Sequence, residues 1–163
     1  MAGTTPIQVG ISEYDFSTDD RPLVTNGVGS CVVIVLVDDA GSVSGMLHFM
    51  LPKARVTPNG DSDTDAKFAD TGLDAMLAAF EAHGGRPTRA WAKLAGGASM
   101  FEFDGFDVPI GEQNIEAARD GLESRNIPVR GSDLGGNEGR QVTFEPATGE
   151  LVVRTADGGT RRL

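Results

Sequence analysis

The longest apolar run of the chain lies within residues 25–48, TNGVGSCVVIVLVDDAGSVSGMLH, between a glycine-rich turn and a second turn signal. An apolar run of this length, bounded by turns, predicts a strand. The segment Asp38-Asp39-Ala40-Gly41 then predicts a turn into a returning strand over residues 42–49. Because both faces of the first strand are apolar, we expect it to lie between two packed layers. This hairpin is the predicted centre of the domain.

The predicted hairpin brings Cys31, the single cysteine of the chain, close to His48. With an even-numbered loop, the numbers of opposed residues sum to 79, so that Cys31 faces His48 directly. Directly opposed residues of an antiparallel pair have Cβ atoms about 4.5 to 5.5 Å apart. An odd loop or a bulge would shift this register. We therefore predict that the sulfur and the imidazole can share a proton.

A thiol beside an imidazole is the arrangement that nucleophilic catalysis needs. The histidine would stabilise the thiolate as its imidazolium partner, and the thiolate would attack a carbonyl carbon. Thr25 is a candidate hydrogen-bond partner that orients His48. The flexible turn before Cys31 can direct backbone N–H groups toward the oxyanion formed in the attack. The candidate residues of this turn are Gly27, Gly29 and Ser30.

Other interpretations of the same residues remain open. Cysteine is often a small core hydrophobe, and His48 can equally be a strand histidine whose hydrogen bonds are satisfied. An exposed Cys31 thiol would also suit a redox sensor.

Five sequence motifs together resemble those of one family. The first is Thr25-x-Gly27-x-Gly29-Ser30-Cys31, with His48 seventeen residues beyond the cysteine. The others are KFADT at 67–71, KLAGGASMF at 93–101, IGEQN at 110–114, and DLGG followed by GR within 133–140. In this order they resemble the CheD family of chemoreceptor glutamine deamidases, over roughly residues 7–155.

The resemblance implies a three-layer α/β/β sandwich that converts a receptor glutamine to glutamate with release of ammonia. It implies Cys31 as the nucleophile, His48 as general acid and base, and Thr25 as the group that orients His48. It also implies two partners, a chemoreceptor and a CheC-type phosphatase. The family commonly has arginine where this chain has Gln113, which puts any ion pair of that arginine in doubt. A non-catalytic adaptor that binds receptor or phosphatase is the alternative function.

The remaining periodicity predicts an α+β domain of about eight strands and two helices, without βαβ alternation. We expect the sheets to stack and to be mainly antiparallel, with both helices on one outer face. An apolar stripe predicts one helix from residue 69 to a cap at His83 and Gly84, and another stripe predicts a second helix over 111–124. Further strands are predicted over 7–14, 88–94, 127–131, 141–144 and 151–155. Gly96-Gly97 predicts a tight turn with close backbone packing.

Length, composition and charge predict a single domain over 1–163, with a core over about 7–155 and a frayed tail over 156–163. The formal net charge of −10 argues against binding to nucleic acid or to anionic lipid. No segment approaches the roughly 18 to 20 apolar residues that span a bilayer, so we expect a cytoplasmic protein. No cofactor is expected, since nothing resembles a set of zinc ligands.

Two surface features carry weaker expectations. Phe101 and Phe103 lie in an aromatic segment that predicts a docking surface for protein. The 24 acidic residues against 14 basic ones fit a protein of salt-rich cytoplasm, although an ordinary acidic protein has the same composition.

Overall fold

The computed structural model describes residues 5–54, 65–99 and 108–163. Two α-helices and ten strands occur in these residues. The helices are α1, Ala69–Ala82, and α2, Ile110–Ser124. The first five strands are β1 (Ile7–Gln8), β2 (Glu13–Ser17), β3 (Leu23–Val28), β4 (Val32–Asp38) and β5 (Val43–Phe49). The other five are β6 (Trp91–Gly96), β7 (Val129–Leu134), β8 (Arg140–Glu145), β9 (Glu150–Thr155) and β10 (Thr160–Arg162).

The strands form two five-stranded sheets. The central sheet has the order β2-β5-β4-β6-β7, and the outer sheet has the order β1-β3-β8-β9-β10. Six of the neighbouring pairs are antiparallel. The pairs β1 with β3 and β6 with β7 are parallel. The prediction of stacked, mainly antiparallel sheets is confirmed.

Strand β4 contributes to both layers of the core, because all seven of its residues are buried. Its even-numbered apolar side chains, beginning with Val32, pack in one cluster with Leu73 and Leu122 of the two helices. Its odd-numbered side chains, beginning with Val33, pack in a second cluster with Phe144 of the outer sheet. The fold is therefore a three-layer sandwich of helices, central sheet and outer sheet, as predicted. Within the described residues, no helical segment has both the length and the hydrophobicity needed to cross a bilayer.

Helix α1 follows its predicted apolar stripe. Leu73, Met76 and Phe80 are buried against the central sheet. The helix ends at Ala82 and is followed by His83, and Gly84 then adopts a left-handed conformation with a φ of 97°. This is the predicted C-terminal cap.

The chain differs from the sequence prediction at its start and its end. Residues 7–14 are not one strand, because β1 and β2 belong to different sheets. The turn between them contains Ser12 with a φ of 63°. The predicted frayed tail is wrong, because β10 pairs with β9. Leu163 also exchanges two backbone hydrogen bonds with Leu151, at 3.1 and 2.9 Å. These backbone pairings fix the tail on the edge of the outer sheet.

The expected absence of βαβ alternation is also wrong. Strands β6 and β7 are parallel neighbours in the central sheet, and α2 lies between them in sequence. Parallel strands need a crossover connection, and a helix usually supplies it. This unit places the start of α2 beside the end of β6.

The predicted register of the β4–β5 hairpin is wrong. Each residue of β4 pairs with a residue two positions further along the chain than predicted. The observed pairs have numbers that sum to 81, so that Val33 lies directly opposite His48. Cys31 lies beyond the last pair of the ladder.

The shifted register has its cause in the turn. Asp38 remains in β4 because its buried carboxylate accepts hydrogen bonds from the Arg89 guanidinium at 2.8 Å and from the Gly41 N–H at 3.2 Å. Ser42 takes a left-handed conformation with a φ of 54° and belongs to the loop rather than to β5. The pair of Asp38 with Val43 therefore closes a loop of four residues.

Candidate active site

Cys31 lies in the turn between β3 and β4, at one end of the sandwich. The segment that follows β6 holds this turn through backbone hydrogen bonds. The Gly29 oxygen accepts from the Ala98 N–H at 2.9 Å, and the Cys31 oxygen accepts from the Gly97 N–H at 2.8 Å. The orientation of the peptide units around Cys31 is therefore fixed from outside the turn.

Gly96 allows this close contact. Its φ is 117°, a conformation that favours glycine. A Cβ atom added to Gly96 would lie 2.3 Å from the Cys31 oxygen and 3.1 Å from the Cα of Val32. The predicted close backbone packing at Gly96-Gly97 is confirmed, and its partner is the Cys31 turn.

Asn114 of α2 joins the Cys31 turn to the end of β5. The residue is fully buried, and its Nδ2 donates to the Ser30 oxygen at 2.9 Å and to the Met50 oxygen at 2.8 Å. Met50 follows His48 by two residues, so one amide contacts both segments that carry the predicted catalytic pair. The sequence prediction gave Asn114 no role. The available signal was a polar residue within the buried stripe of α2, which comprises Gly111, Asn114, Ala118 and Leu122.

The Cys31 thiol is protonated at neutral pH. The residue is 9% exposed, and burial raises the pKa of the thiol because it removes water from the thiolate. A hydrogen bond from the backbone N–H of Cys31 to its own sulfur acts in the opposite direction and lowers the pKa by less. The N–H of Cys31 therefore lies against the sulfur.

His48 connects the two sheets through Thr25. The imidazole is fully buried, and its Nδ1 lies 2.7 Å from the Oγ1 of Thr25 in β3. Thr25 is also buried, at the point where the pairing of β3 with β8 becomes irregular. The predicted contact between Thr25 and His48 is confirmed, and it runs from the central sheet to the outer sheet.

The His48 ring is neutral at neutral pH. Burial lowers its pKa to about 4, because the charged imidazolium is poorly solvated between the sheets. The Nε2 of His48 is buried without a hydrogen-bond partner in the part of the chain that the structure describes. When Nδ1 carries the ring proton and donates it to Thr25, Nε2 has a free lone pair. The free protein thus holds a thiol and a neutral imidazole, and the predicted thiolate–imidazolium pair is wrong for this state.

Cys31 and His48 do not oppose each other directly. Val33 opposes His48, and Cys31 precedes Val33 by two residues, one position beyond the last pair of the ladder. Diagonal neighbours on one face have Cα atoms about 7 to 8 Å apart, which is within reach of longer side chains. No hydrogen bond joins the Cys31 sulfur to the His48 Nε2 in the structure, so the predicted sharing of a proton between them is not observed.

The other predicted residues have different roles or lie elsewhere. Gly27 has a φ of 69°, and its oxygen accepts from the Gly29 N–H at 3.2 Å, so this N–H is used within the turn. The Gln113 side chain donates to the Val108 oxygen at 2.8 Å, a contact that needs no charge. Phe101 and Phe103, predicted to dock a partner, lie outside the described residues.

Acid should destabilise the protein through His48. The pKa of His48 is about 4 in the folded protein and about 6.5 in the unfolded chain, so the unfolded state binds the extra proton between these pH values. The stability due to the neutral ring is complete above pH 6.5 and is lost as the pH falls toward 4. Between pH 7 and 4.5, we expect wild type to lose about 2 kcal/mol more than His48→Gln in urea unfolding. Equal losses would contradict a neutral, buried ring.

The family model described as CheD chemotactic sensory transduction matches residues 50–155. The match covers more than half of the chain and begins after Cys31 and His48.

Curated relatives are similar over nearly the whole chain. A protein named probable chemoreceptor glutamine deamidase CheD, from Syntrophomonas wolfei, is 40% identical over 157 residues, which are 95% of this chain and 96% of the relative. A protein of the same name from Haloarcula marismortui is 40% identical over 151 residues, 93% of this chain and 86% of the relative. The chemoreceptor glutamine deamidase CheD of Thermotoga maritima is 38% identical over 151 residues, with 93% and 92% covered.

Two solved structures share the fold at low sequence identity. A Neisseria meningitidis protein of the DUF152 family has a TM-score of 0.51 and 10% identity over 81% of this chain. The hypothetical protein YfiH of Bacillus licheniformis has a TM-score of 0.50 and 11% identity over 76% of this chain. This chain covers 65% and 51% of their respective lengths. At this identity the likeness concerns the fold alone.

Proposed function

This chain belongs to the CheD family, and from that premise we propose that it converts glutamine side chains of chemoreceptors to glutamate, with Cys31 as nucleophile. Its relatives bear the name chemoreceptor glutamine deamidase. The observation that carries the proposal is the 2.7 Å contact between Thr25 and His48. It holds the imidazole on the face of the central sheet that meets β3, and the Nε2 has no hydrogen-bond partner in the described residues, so it is available to a thiol proton.

His48 acts as a general base in the first step. Its Nε2 takes the thiol proton while the Cys31 sulfur forms a bond to the amide carbon, and the carbonyl electron pair moves to the oxygen. The Nδ1–H of His48 donates to Thr25, whose hydroxyl oxygen stabilises the imidazolium as it forms. This route needs no thiolate in the free protein. It therefore agrees with the raised pKa of Cys31 and the lowered pKa of His48.

The Cys31 turn supplies donors for the oxyanion. A peptide unit is planar and trans, so its carbonyl and its N–H point in opposite directions. The Gly29 and Ser30 carbonyls point toward Ala98 and Asn114, respectively. The N–H groups of Ser30 and Cys31 therefore point away from these donors. One oxyanion donor typically contributes about 10²- to 10³-fold in rate.

The reaction is completed by proton transfer to the leaving group. The His48 imidazolium gives its proton to the amide nitrogen, the carbon–nitrogen bond breaks, and ammonia leaves a thioester on Cys31. Water then loses a proton to His48 and adds to the thioester carbon. The sulfur leaves and regains its proton, and the product is a glutamate side chain. The receptor thereby gains a negative charge at the modified position.

We also propose a CheC-type phosphatase as a regulatory partner. Membership of the CheD family supports this partner. A phosphatase that binds near the Cys31 turn would compete with the receptor for the same site.

The deamidation itself can be tested by mass spectrometry. Purified protein is incubated with the cytoplasmic part of a chemoreceptor, and we expect a mass gain of about 1 Da at specific glutamines. One ammonia should be released for each converted residue. The receptor incubated alone provides the control for spontaneous deamidation. A receptor whose glutamines stay unmodified in the presence of folded protein would refute the proposal.

A further inference from the structure

We propose that Asn114 is the positioning residue of this site: it orients the Cys31 backbone N–H toward the reacting centre and holds β5 against the Cys31 turn. The inference rests on the proposed function, because it assigns the Cys31 N–H to the oxyanion. Asn114 itself touches neither the substrate nor the reacting atoms in this assignment.

The contacts of Asn114 connect two distant parts of the chain. One buried amide group donates to the Ser30 oxygen at 2.9 Å and to the Met50 oxygen at 2.8 Å. Ser30 directly precedes Cys31, and Met50 follows His48 by two residues. Because two carbonyl acceptors identify the nitrogen of the amide, the orientation of the side chain is also determined. Asn114 thus contributes, together with the backbone hydrogen bonds from Gly97 and Ala98, to the relative position of the thiol and the imidazole.

The bond to Ser30 has a directional consequence for the next residue. The Ser30 carbonyl and the Cys31 N–H belong to the same planar, trans peptide unit. When Asn114 holds the carbonyl on the helix side of the turn, the N–H must point the opposite way. There it lies against the Cys31 sulfur, beside which an oxyanion would form.

The unpaired oxygen of Asn114 argues against a purely structural role. Its Oδ1 is buried and has no hydrogen-bond partner among the described residues. A buried polar atom without a partner destabilises the fold. The two hydrogen bonds that Nδ2 donates, to the Cys31 turn and to the end of β5, explain why an amide occupies the position.

The experiment compares Asn114→Leu with Leu122→Ala, which weakens the buried face of the same helix two turns further on. For Asn114→Leu we expect kcat for receptor deamidation to fall by about 10- to 100-fold, with KM changed by less than about threefold. Alkylation of Cys31 by iodoacetamide should also shift to higher pH, since the N–H no longer faces the sulfur. Leu122→Ala should lower the melting temperature and leave kcat and the alkylation profile unchanged.

Asn114→Asp provides a second variant if Asn114→Leu fails to fold. It keeps the shape but sets a carboxylate oxygen against two carbonyl oxygens, so the same losses are expected. Wild-type kcat and alkylation profile in a folded Asn114 variant would overturn the inference. So would a change confined to the melting temperature, as in Leu122→Ala. A wild type without deamidase activity would instead refute the proposed function, and the alkylation profile would still test the orientation of Cys31.

Discussion

Replacing Cys31 with serine is expected to lower the rate of receptor deamidation by at least about 10³-fold. A hydroxyl is a much weaker acid than a thiol, and the proposed base is His48, whose pKa of about 4 makes it a weak one. The imidazole can assist removal of a thiol proton during attack, but it cannot activate an alcohol to the same extent. Mass spectrometry of the receptor at several times would measure the remaining rate.

The Cys31→Ser protein should keep its fold, because serine has the same shape as cysteine and is only slightly smaller. A melting temperature within a few degrees of wild type would show that the loss is chemical. Thr148→Ser is a similarly small change in the exposed turn between β8 and β9, and it should leave the rate unchanged. If Cys31→Ser deamidated the receptor at a rate comparable to wild type, the sulfur would not be the nucleophile.

Gly96→Ala is expected to reduce both stability and activity, because the new methyl group meets the backbone of the Cys31 turn. Its Cβ would lie 2.3 Å from the Cys31 oxygen, far inside van der Waals contact, and the φ of 117° disfavours any residue with a side chain. We expect a loss of about 3 kcal/mol or more in the free energy of unfolding. Movement of the turn should also misalign the thiol and lower kcat.

Gly84→Ala is the matched control for this substitution. Gly84 has a φ of 97°, but a Cβ there would meet no atom within 4 Å. The control therefore has the backbone strain but not the steric clash. We expect Gly84→Ala to lower the free energy of unfolding by about 1 kcal/mol and to leave kcat unchanged. Urea unfolding and receptor deamidation of both variants separate the two effects. Equal losses of stability would contradict the role assigned to the contact between Gly96 and Cys31.

The sequence was sufficient to predict elements that local periodicity determines. The apolar run of β4 and the stripe of α1 predicted a buried strand and an amphipathic helix, and both are present. The contact of Thr25 with His48 also followed from the spacing of the motif. The strand and the helix depend on residues that are close in sequence, whereas the contact of Thr25 with His48 crosses from one sheet to the other.

Features that depend on distant contacts were missed. The hairpin register depends on the ion pair of Asp38 with Arg89, which are 51 residues apart. The role of Asn114 depends on carbonyl groups that are 84 and 64 residues away. No periodicity reports such contacts. The protonation states of Cys31 and His48 were also wrong, because they depend on burial in the folded protein.

The environment of Cys31 also bears on the alternative role as a redox sensor. Sensor cysteines are exposed and have low pKa values. Cys31 is nearly buried, and burial raises the pKa of its thiol. These properties argue against the redox sensor.

The depth of the thiol and imidazole between the two sheets sets a minimum length for the side chain that can react. His48 is fully buried and Cys31 is nearly so, which means that an amide must extend inward from the surface of another protein to meet them. Asparagine has one methylene fewer than glutamine, so its amide would stop short of the sulfur when the two backbones lie at the same separation. We therefore expect the site to prefer glutamine to asparagine because of side-chain length alone. Among glutamines, it should prefer those that project from a convex surface such as an exposed helix.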